Sequence, residues 1–251
     1  MIEKKIRSLL LKTLGTETYL SLVSSTYIRL IRAGFLKAKY PELFYLENLV
    51  KPGFVCIDIG ANVGYYSVFL SKFAGEQGHV YSVEPVPLFA NVFLKNVKRF
   101  GGDNITLYQC ALGAEKKEVI LGTPVLEGVF RHGLTKIMDQ PEGKDTMTYK
   151  AKMEIPDVLF GPLAKIDFIK CDVEGYEIYL FPQMLATLTR FKPLIQIELT
   201  GSDRRKTMID LLKPLGYRPY KLNNEQLELM EDYFALDYEQ GDFYFKVNSG
   251  N

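Results

Sequence analysis

The sequence predicts an α/β fold in which a mostly parallel sheet carries helices on both faces. Two observations support it: strand-like apolar runs alternate with helix-like runs from Phe54 onward, and a glycine break joins the first strand to the first of these helices. Hydrophobic residues make up 47% of the 251 residues and charged residues 24%, which suffices for one full α/β domain with a sizeable core.

Five strands are predicted in the alternating part of the chain, at residues 54–59, 79–84, 105–110, 166–172 and 194–199. A helix between the second and third strands begins near Pro87 and ends near Gly101, because its apolar residues fall on one helical face. A further helix begins at a Ser or Asp cap in "SDRRKTMIDLLKPLGY" and ends at Gly216. The segments "YRPYKL" and "DFYFKV" then close the sheet as an antiparallel C-terminal ribbon.

Two regions fall outside this alternation. Residues 1–50 are predicted as an N-terminal helical extension of a domain over residues 51–251, and residues 122–150 as an insertion, either a lid or a plain surface loop. Residues 1–40 contain eight Lys or Arg against two acids. Their apolar stripe predicts an amphipathic helix that packs on the domain or on a second subunit, with binding to an anionic membrane surface as the alternative. The stripe consists of Ile2, Ile6, Leu9, Leu10 and Leu14.

Composition and charge exclude several classes of protein. No apolar run is long enough to span a bilayer and "MIEKKIRSLLLKTLG" lacks the features of a signal peptide, so we expect a cytoplasmic protein whose membrane contact, if any, is peripheral at the inner face. The net charge of +1 predicts no general affinity for nucleic acid. The spacing of Cys56, Cys110 and Cys171 fits neither a zinc site nor a disulfide framework, which predicts core residues.

The stretch "FVCIDIGANVGYYSVFL" leads from the first strand through Gly60 and Gly64 into a helix. Backbone amides at such a helix start lie at the ligand-binding edge of the sheet. The loop has Asn62 where a dinucleotide-binding G-x-G-x-x-G loop has its middle glycine, and Asp58 stands at its entrance. Because a pyrophosphate would meet this carboxylate, we expect a ligand with an ammonium or sulfonium cation.

A second acid completes a nucleoside pattern. Glu84 ends the second strand 24 residues after Gly60, and a carboxylate ~20 residues beyond such a loop binds ribose hydroxyls. The third strand ends in "QCALG", where Cys110 and Ala111 are small enough to let an adenine ring approach. The residues expected to contact the nucleoside ligand are Asp58, Gly60, Ala61, Asn62, Gly64, Ser67, Glu84, Pro85, Cys110, Ala111 and Asp172.

The combination of "DIGANVGYYS", "VEP", "ALG" and "DFIKCDVEGYE" resembles the FkbM-type family of class I S-adenosylmethionine-dependent methyltransferases, over residues 54–199. The resemblance implies a Rossmann-like, seven-stranded, mostly parallel sheet with an antiparallel C-terminal strand and extra N-terminal helices. It also implies S-adenosylmethionine as cofactor and an O-methyltransferase acting on a hydroxyl of a sugar, glycolipid or related natural product.

The fourth strand ends in Asp172, with Glu174 following, where the methyl donor of such folds meets its acceptor. A sugar hydroxyl needs a general base or a divalent cation to lose its proton. Asp172, Glu174 and His132 of the insertion are therefore the candidate catalytic residues, while His79 stands at the opposite edge of the sheet and is expected to be structural. No metal site is predicted, although Asp172, Glu174 and Glu198 would offer oxygen ligands to magnesium or calcium.

Other functions are ranked lower. A nicotinamide-dependent oxidoreductase would need the missing middle glycine, and a nucleic-acid methyltransferase would need the absent N-P-P-Y motif or basic residues interleaved with aromatics. A protein acceptor is a further alternative. A non-catalytic nucleoside-binding scaffold would be expected to lack residues of the donor-binding site, whereas Glu84 and the glycine loop are both present.

Overall fold

The computed structural model describes residues 10–11, 13–126, 129–130, 134–138, 146–239 and 241–247. Their strands, in chain order, are β1 Val55–Ile59, β2 His79–Val83, β3 Ile105–Tyr108, β4 Ala111–Leu112, β5 Lys117–Leu126, β6 Val129–Phe130, β7 Lys136–Met138, β8 Thr146–Glu154, β9 Phe168–Cys171, β10 Leu194–Ile197, β11 Tyr217–Asn223, β12 Gln226–Leu229 and β13 Phe243–Val247. Within these residues the main sheet has eight strands in the order β12-β11-β13-β10-β9-β1-β2-β3.

Helices cover both faces of the main sheet. They are α1 Thr16–Arg32, α2 Pro41–Leu49, α3 Tyr65–Ala74, α4 Pro87–Phe100, α5 Pro156–Phe160, α6 Glu177–Leu180, α7 Leu185–Phe191, α8 Ser202–Leu212 and α9 Asp232–Asp237. Side chains alternate along each strand, so Ile57 and Ile169 join one buried cluster with α6 to α8, while Cys56 and Phe168 join another with α2 and α3. The central strands are buried on both faces, which explains why most of their residues are apolar.

The predicted fold class is confirmed, with one correction to the strand count. Strands β10, β9, β1, β2 and β3 are parallel, and β13 pairs antiparallel with both β10 and β11, as the predicted C-terminal ribbon requires. The main sheet has eight strands rather than seven, because β12 folds back on β11. Its turn uses Asn224 and Glu225 with φ of +45° and +62°, a left-handed pair that has no glycine to signal it.

A second sheet occupies the region of the predicted insertion. Its strands run in the order β4-β8-β5-β6, with β7 paired to β5. The long antiparallel pair β5–β8 extends from Lys117 opposite Met153 to Pro124 opposite Thr146. Its apolar side chains pack with Phe89 of α4, so this sheet stands over the carboxyl edge of the main sheet.

The extra N-terminal helices are confirmed as α1 and α2. Tyr19 and Leu20 of α1 are buried, and Asn96 of α4 donates a hydrogen bond of 2.8 Å to the Ser24 hydroxyl. Ile2, Ile6 and Leu9 of the apolar stripe lie outside the described residues. No helix in the described part of the chain combines the length and apolarity needed to cross a membrane.

Candidate functional site

The carboxyl ends of β1, β2 and β9 surround one cavity with about 750 Å³ of empty space, its open mouth included. Leu121 of β5 and Lys136 and Ile137 of β7 close the cavity from the second sheet. The predicted insertion thus contributes part of the wall of the site.

The glycine loop after β1 is held tightly against β9 and β2. Gly60 has a φ of +78°, and a Cβ there would lie 1.9 Å from the carbonyl oxygen of Asp172. The N–H groups of Gly60 and Ala61 both donate to the Val83 carbonyl, at 3.0 Å each. Gly64, with a φ of +89°, begins α3 so close to Phe93 of α4 that a Cβ would lie 2.9 Å from the ring. Both glycines are therefore required by close approach as well as by backbone conformation.

Glu84 lies in the cavity wall at the end of β2 and is 4% exposed. Its carboxylate accepts hydrogen bonds of 2.8 Å from the N–H groups of Asn62 and Val86. Burial raises the pKa of Glu84 to about 7, although these two backbone donors act to lower it. The carboxylate oxygens keep further lone pairs, so the fixed group can accept hydroxyl donors from a ligand.

The raised pKa of Glu84 predicts a pH-dependent stability. Its folded-state pKa of about 7 lies above the ordinary 4.5, so the free energy of unfolding should fall as pH rises through about 7. The expected loss from this group is on the order of 2 kcal/mol. The pKa values of Glu174 and Asp242, also raised to about 7, act in the same direction. Urea unfolding at about pH 5 and about pH 8 measures the difference.

The matched variants are Glu84→Gln and Glu76→Gln, the second at an exposed position outside the cavity. We expect the difference between the two pH values to shrink in Glu84→Gln and to keep its wild-type size in Glu76→Gln. An equal pH dependence in the two variants would contradict the assignment.

A cluster of acids follows β9 and β10. Asp172 and Glu174 line the cavity, and Glu174 lies at its exposed rim with a φ of +54°, an uncommon conformation for a residue other than glycine. Glu177 accepts a hydrogen bond of 2.9 Å from the N–H of Val173. Partial burial, together with the charges of Asp172, Glu198 and Glu177, raises the pKa of Glu174 to about 7. A carboxyl group with this pKa is suited to general-base work near neutral pH.

Most of the predicted site residues lie around this cavity, namely Gly60, Asn62, Glu84, Pro85, Cys110, Ala111, Asp172 and Glu174. Ala61 and Gly64 belong to the loop without lining it. Asp58 and Ser67 lie behind the loop, both fully buried, with the Ser67 hydroxyl donating to Asp58 at 2.5 Å. Strand alternation turns Asp58 toward α3, so its side chain does not line the cavity, and its expected contact with the ligand stays a prediction. His132 lies outside the described residues.

Sequence reasoning missed two parts of the site. Thr135, Lys136 and Ile137 reach the cavity from a short strand in a region without periodicity, so no sequence pattern identifies them. Lys170 lies beside Asp172 with 3.3 Å between Nζ and Oδ2. The sequence does mark Lys170 in one way, as a single lysine inside the apolar run "DFIKC". A lysine is rarely buried in a central strand without a charged partner.

The acids do not assemble as metal ligands. Across the described ranges, no group of three or more His, Cys, Asp or Glu side chains is placed to hold a metal ion. Glu198 faces a neighbouring cleft with Glu42 and Asp242. The alternative site of Asp172, Glu174 and Glu198 stays a prediction.

Comparison with known proteins identifies a family. The model of the methyltransferase FkbM domain matches residues 58–219, more than half of the chain. A protein-L-isoaspartate O-methyltransferase of Methanosarcina mazei is 40% identical over 55 residues, which cover 22% of this chain and 23% of that protein. A ribosomal protein L11 methyltransferase of Caldanaerobacter subterraneus is 28% identical over 92 residues, covering 36% and 29%. The chain thus spans about a quarter to a third of the length of these curated relatives.

Among solved structures, a methyltransferase FkbM of Methylobacillus flagellatus aligns with a TM-score of 0.47 and 15% identity, over 81% of this chain and 50% of that one.

Proposed function

The chain belongs to the FkbM methyltransferase family, and on this premise we propose that it transfers a methyl group from S-adenosylmethionine to a hydroxyl of a sugar, glycolipid or related natural product. The observation that carries the proposal is the cavity itself. One space at the carboxyl edge of the sheet is lined by the fixed carboxylate of Glu84 and by Asp172 and Glu174. A candidate binding group for a nucleoside and candidate groups for proton transfer therefore line the same cavity.

The residues present fit the donor. Glu84 would accept hydrogen bonds from the ribose hydroxyls, and the small residues Cys110 and Ala111 would lie along the adenine. The loop at Gly60 approaches the backbone of Asp172 so closely that no side chain fits between them. The carboxylate of Asp172 would face the cationic end of the donor.

The donor, when bound, supplies an electrophilic methyl group on a sulfonium. Glu174 would accept the proton of the acceptor hydroxyl at its carboxylate. Strands β5 and β7 would exclude water from the reacting atoms, because Leu121 and Ile137 close the cavity over them. Glu84 and Asp172 would hold the donor so that oxygen, methyl and sulfur lie in line.

A protein acceptor is the second candidate. Two of the relatives that match parts of the chain carry the names of methyltransferases for proteins. Nucleic acid is a weaker candidate, since the net charge is only +1 and the excess of basic residues lies in residues 1–40 of the sequence.

Two measurements test the proposal. Calorimetry should show binding of S-adenosylhomocysteine that Glu84→Ala weakens at least tenfold and that Glu76→Ala leaves within about twofold. Mass spectrometry of glycans and glycolipids from a deletion strain should show species lighter by one CH₂ unit, restored by the wild-type gene. Binding of a nicotinamide dinucleotide in place of S-adenosylhomocysteine would overturn the proposal, and a methyl group missing from protein alone would favour the second candidate.

A further inference from the structure

A row of polar side chains crosses the face of the main sheet that α3 covers. The strand register places Ser82 beside Asp58, Asp58 beside Lys170, Lys170 beside Gln196 and Gln196 beside Tyr244. We call these five residues the polar row, and none of them is more than 4% exposed. Burying so many polar groups costs free energy unless each is paired, so the row calls for an explanation.

Lys170 is the cation of the polar row, and its side chain is 6% exposed. Its Nζ lies 3.3 Å from Oδ2 of Asp172 and 4.8 Å from the centre of the Tyr66 ring on α3. Burial alone would lower the pKa of Lys170, but the charges of Asp172, Asp58 and Asp242 outweigh it and raise the pKa. The ammonium group therefore stays charged inside the protein.

Asp172 follows the last residue of β9, and its carboxylate lies beside the Lys170 ammonium group. Its side chain is 34% exposed, so it connects the buried row to the cavity. Acids from several elements lie around this pair: Asp58 on β1, Glu174 and Glu177 after β9, Glu198 after β10, and Asp242 before β13. The Arg204 guanidinium of α8 also reaches this region, against Gly175. Removing Lys170 would take away the ion-pair partner of Asp172 and leave its carboxylate beside these acids.

We infer that Lys170 is a positioning residue for the methyl donor, holding the Asp172 carboxylate toward the cavity from beneath. The inference rests on the proposed function, because Asp172 acts here on the donor. Lys170 itself touches neither donor nor acceptor. Its whole effect on donor binding should therefore pass through Asp172.

A double-mutant cycle tests this, with S-adenosylhomocysteine as the ligand in calorimetry. Lys170→Met should weaken binding at least tenfold in the wild-type background and less than threefold once Asp172→Asn is present. Lys170→Arg, which keeps the charge, should bind within about threefold of wild type. The control is Lys165→Met, which removes an exposed lysine paired with Asp167 at 3.1 Å and should leave binding unchanged.

Each other outcome has a defined meaning. Equal losses from Lys170→Met with and without Asp172→Asn would show a merely structural lysine and overturn the inference, leaving the proposed function intact. No binding of S-adenosylhomocysteine by the wild-type protein would end both. Should Lys170→Met not fold, Asp58→Asn is added to all four proteins of the cycle, because it removes one of the carboxylates left without a cation.

Discussion

Gly60→Ala should abolish binding of S-adenosylhomocysteine and destabilise the chain by roughly 3 kcal/mol or more. The new Cβ would lie 1.9 Å from the carbonyl oxygen of Asp172 and 2.9 Å from its carbonyl carbon. Both are backbone atoms at the end of a central strand, so no side-chain rotation relieves the clash. The loop or the end of β9 must move, and either movement displaces groups that line the cavity. Urea unfolding and calorimetry measure the two losses.

Gly53→Ala is the matched control. Gly53 also has a left-handed φ, +84°, but a Cβ there has nothing within 4 Å. The substitution should cost about 1 kcal/mol of stability through backbone strain alone and leave donor affinity at the wild-type value. If both variants lost the same stability and both still bound S-adenosylhomocysteine, the close approach of the loop to Asp172 would not matter for function.

The sequence predicts those parts of the fold in which local pattern and tertiary packing agree. The central strands are buried on both faces and α4 has one apolar face, so their positions follow from hydrophobic periodicity. Strand β12 is not predicted from the sequence, because it lies at the sheet edge with mostly exposed residues and because its turn at Asn224 and Glu225 contains no glycine. The short strands β4, β6 and β7 of the second sheet are not predicted, because they are ordered by pairing with β5 and β8 and have no pattern of their own.

The same distinction applies to the site. Gly60, Glu84 and Asp172 are found from the sequence because each follows a strand whose carboxyl end must lie at the ligand-binding edge. The direction of the Asp58 side chain depends on which face of β1 the helix α3 covers. Strand alternation alone does not say which of the two faces that is. Lys170 could not be assigned to the site from the sequence, because the sequence does not show that Asp58 and Asp172 act on its charge. The strand register decides which charged residues lie side by side on neighbouring strands. This register cannot be deduced from the order of residues in the chain.

Glu174→Gln should lower the rate of methyl transfer by about 10²–10⁴-fold while donor affinity stays within about threefold. Glutamine keeps the shape of the side chain but cannot accept the acceptor's proton. In the wild-type enzyme the base works only when deprotonated, so the rate should fall as the pH drops through about 7, the pKa of Glu174. The assay follows a labelled methyl group from S-adenosylmethionine into the acceptor fraction identified by mass spectrometry. A rate within threefold of wild type would exclude Glu174 as the base.

The variant Glu198→Gln tests whether Glu174 is the general base, because Glu198 changes the pKa of Glu174 without accepting the proton itself. The charge of Glu198 contributes to raising the pKa of Glu174, so its removal should move the acidic limb of the rate profile to lower pH and leave the rate above that limb unchanged. His132 is the competing candidate for the general base. If His132 is the base, the acidic limb of the pH–rate profile should disappear in His132→Ala and remain in Glu174→Gln. Only a base surrounded by the acids that follow β9 and β10 has a titration that responds to Glu198.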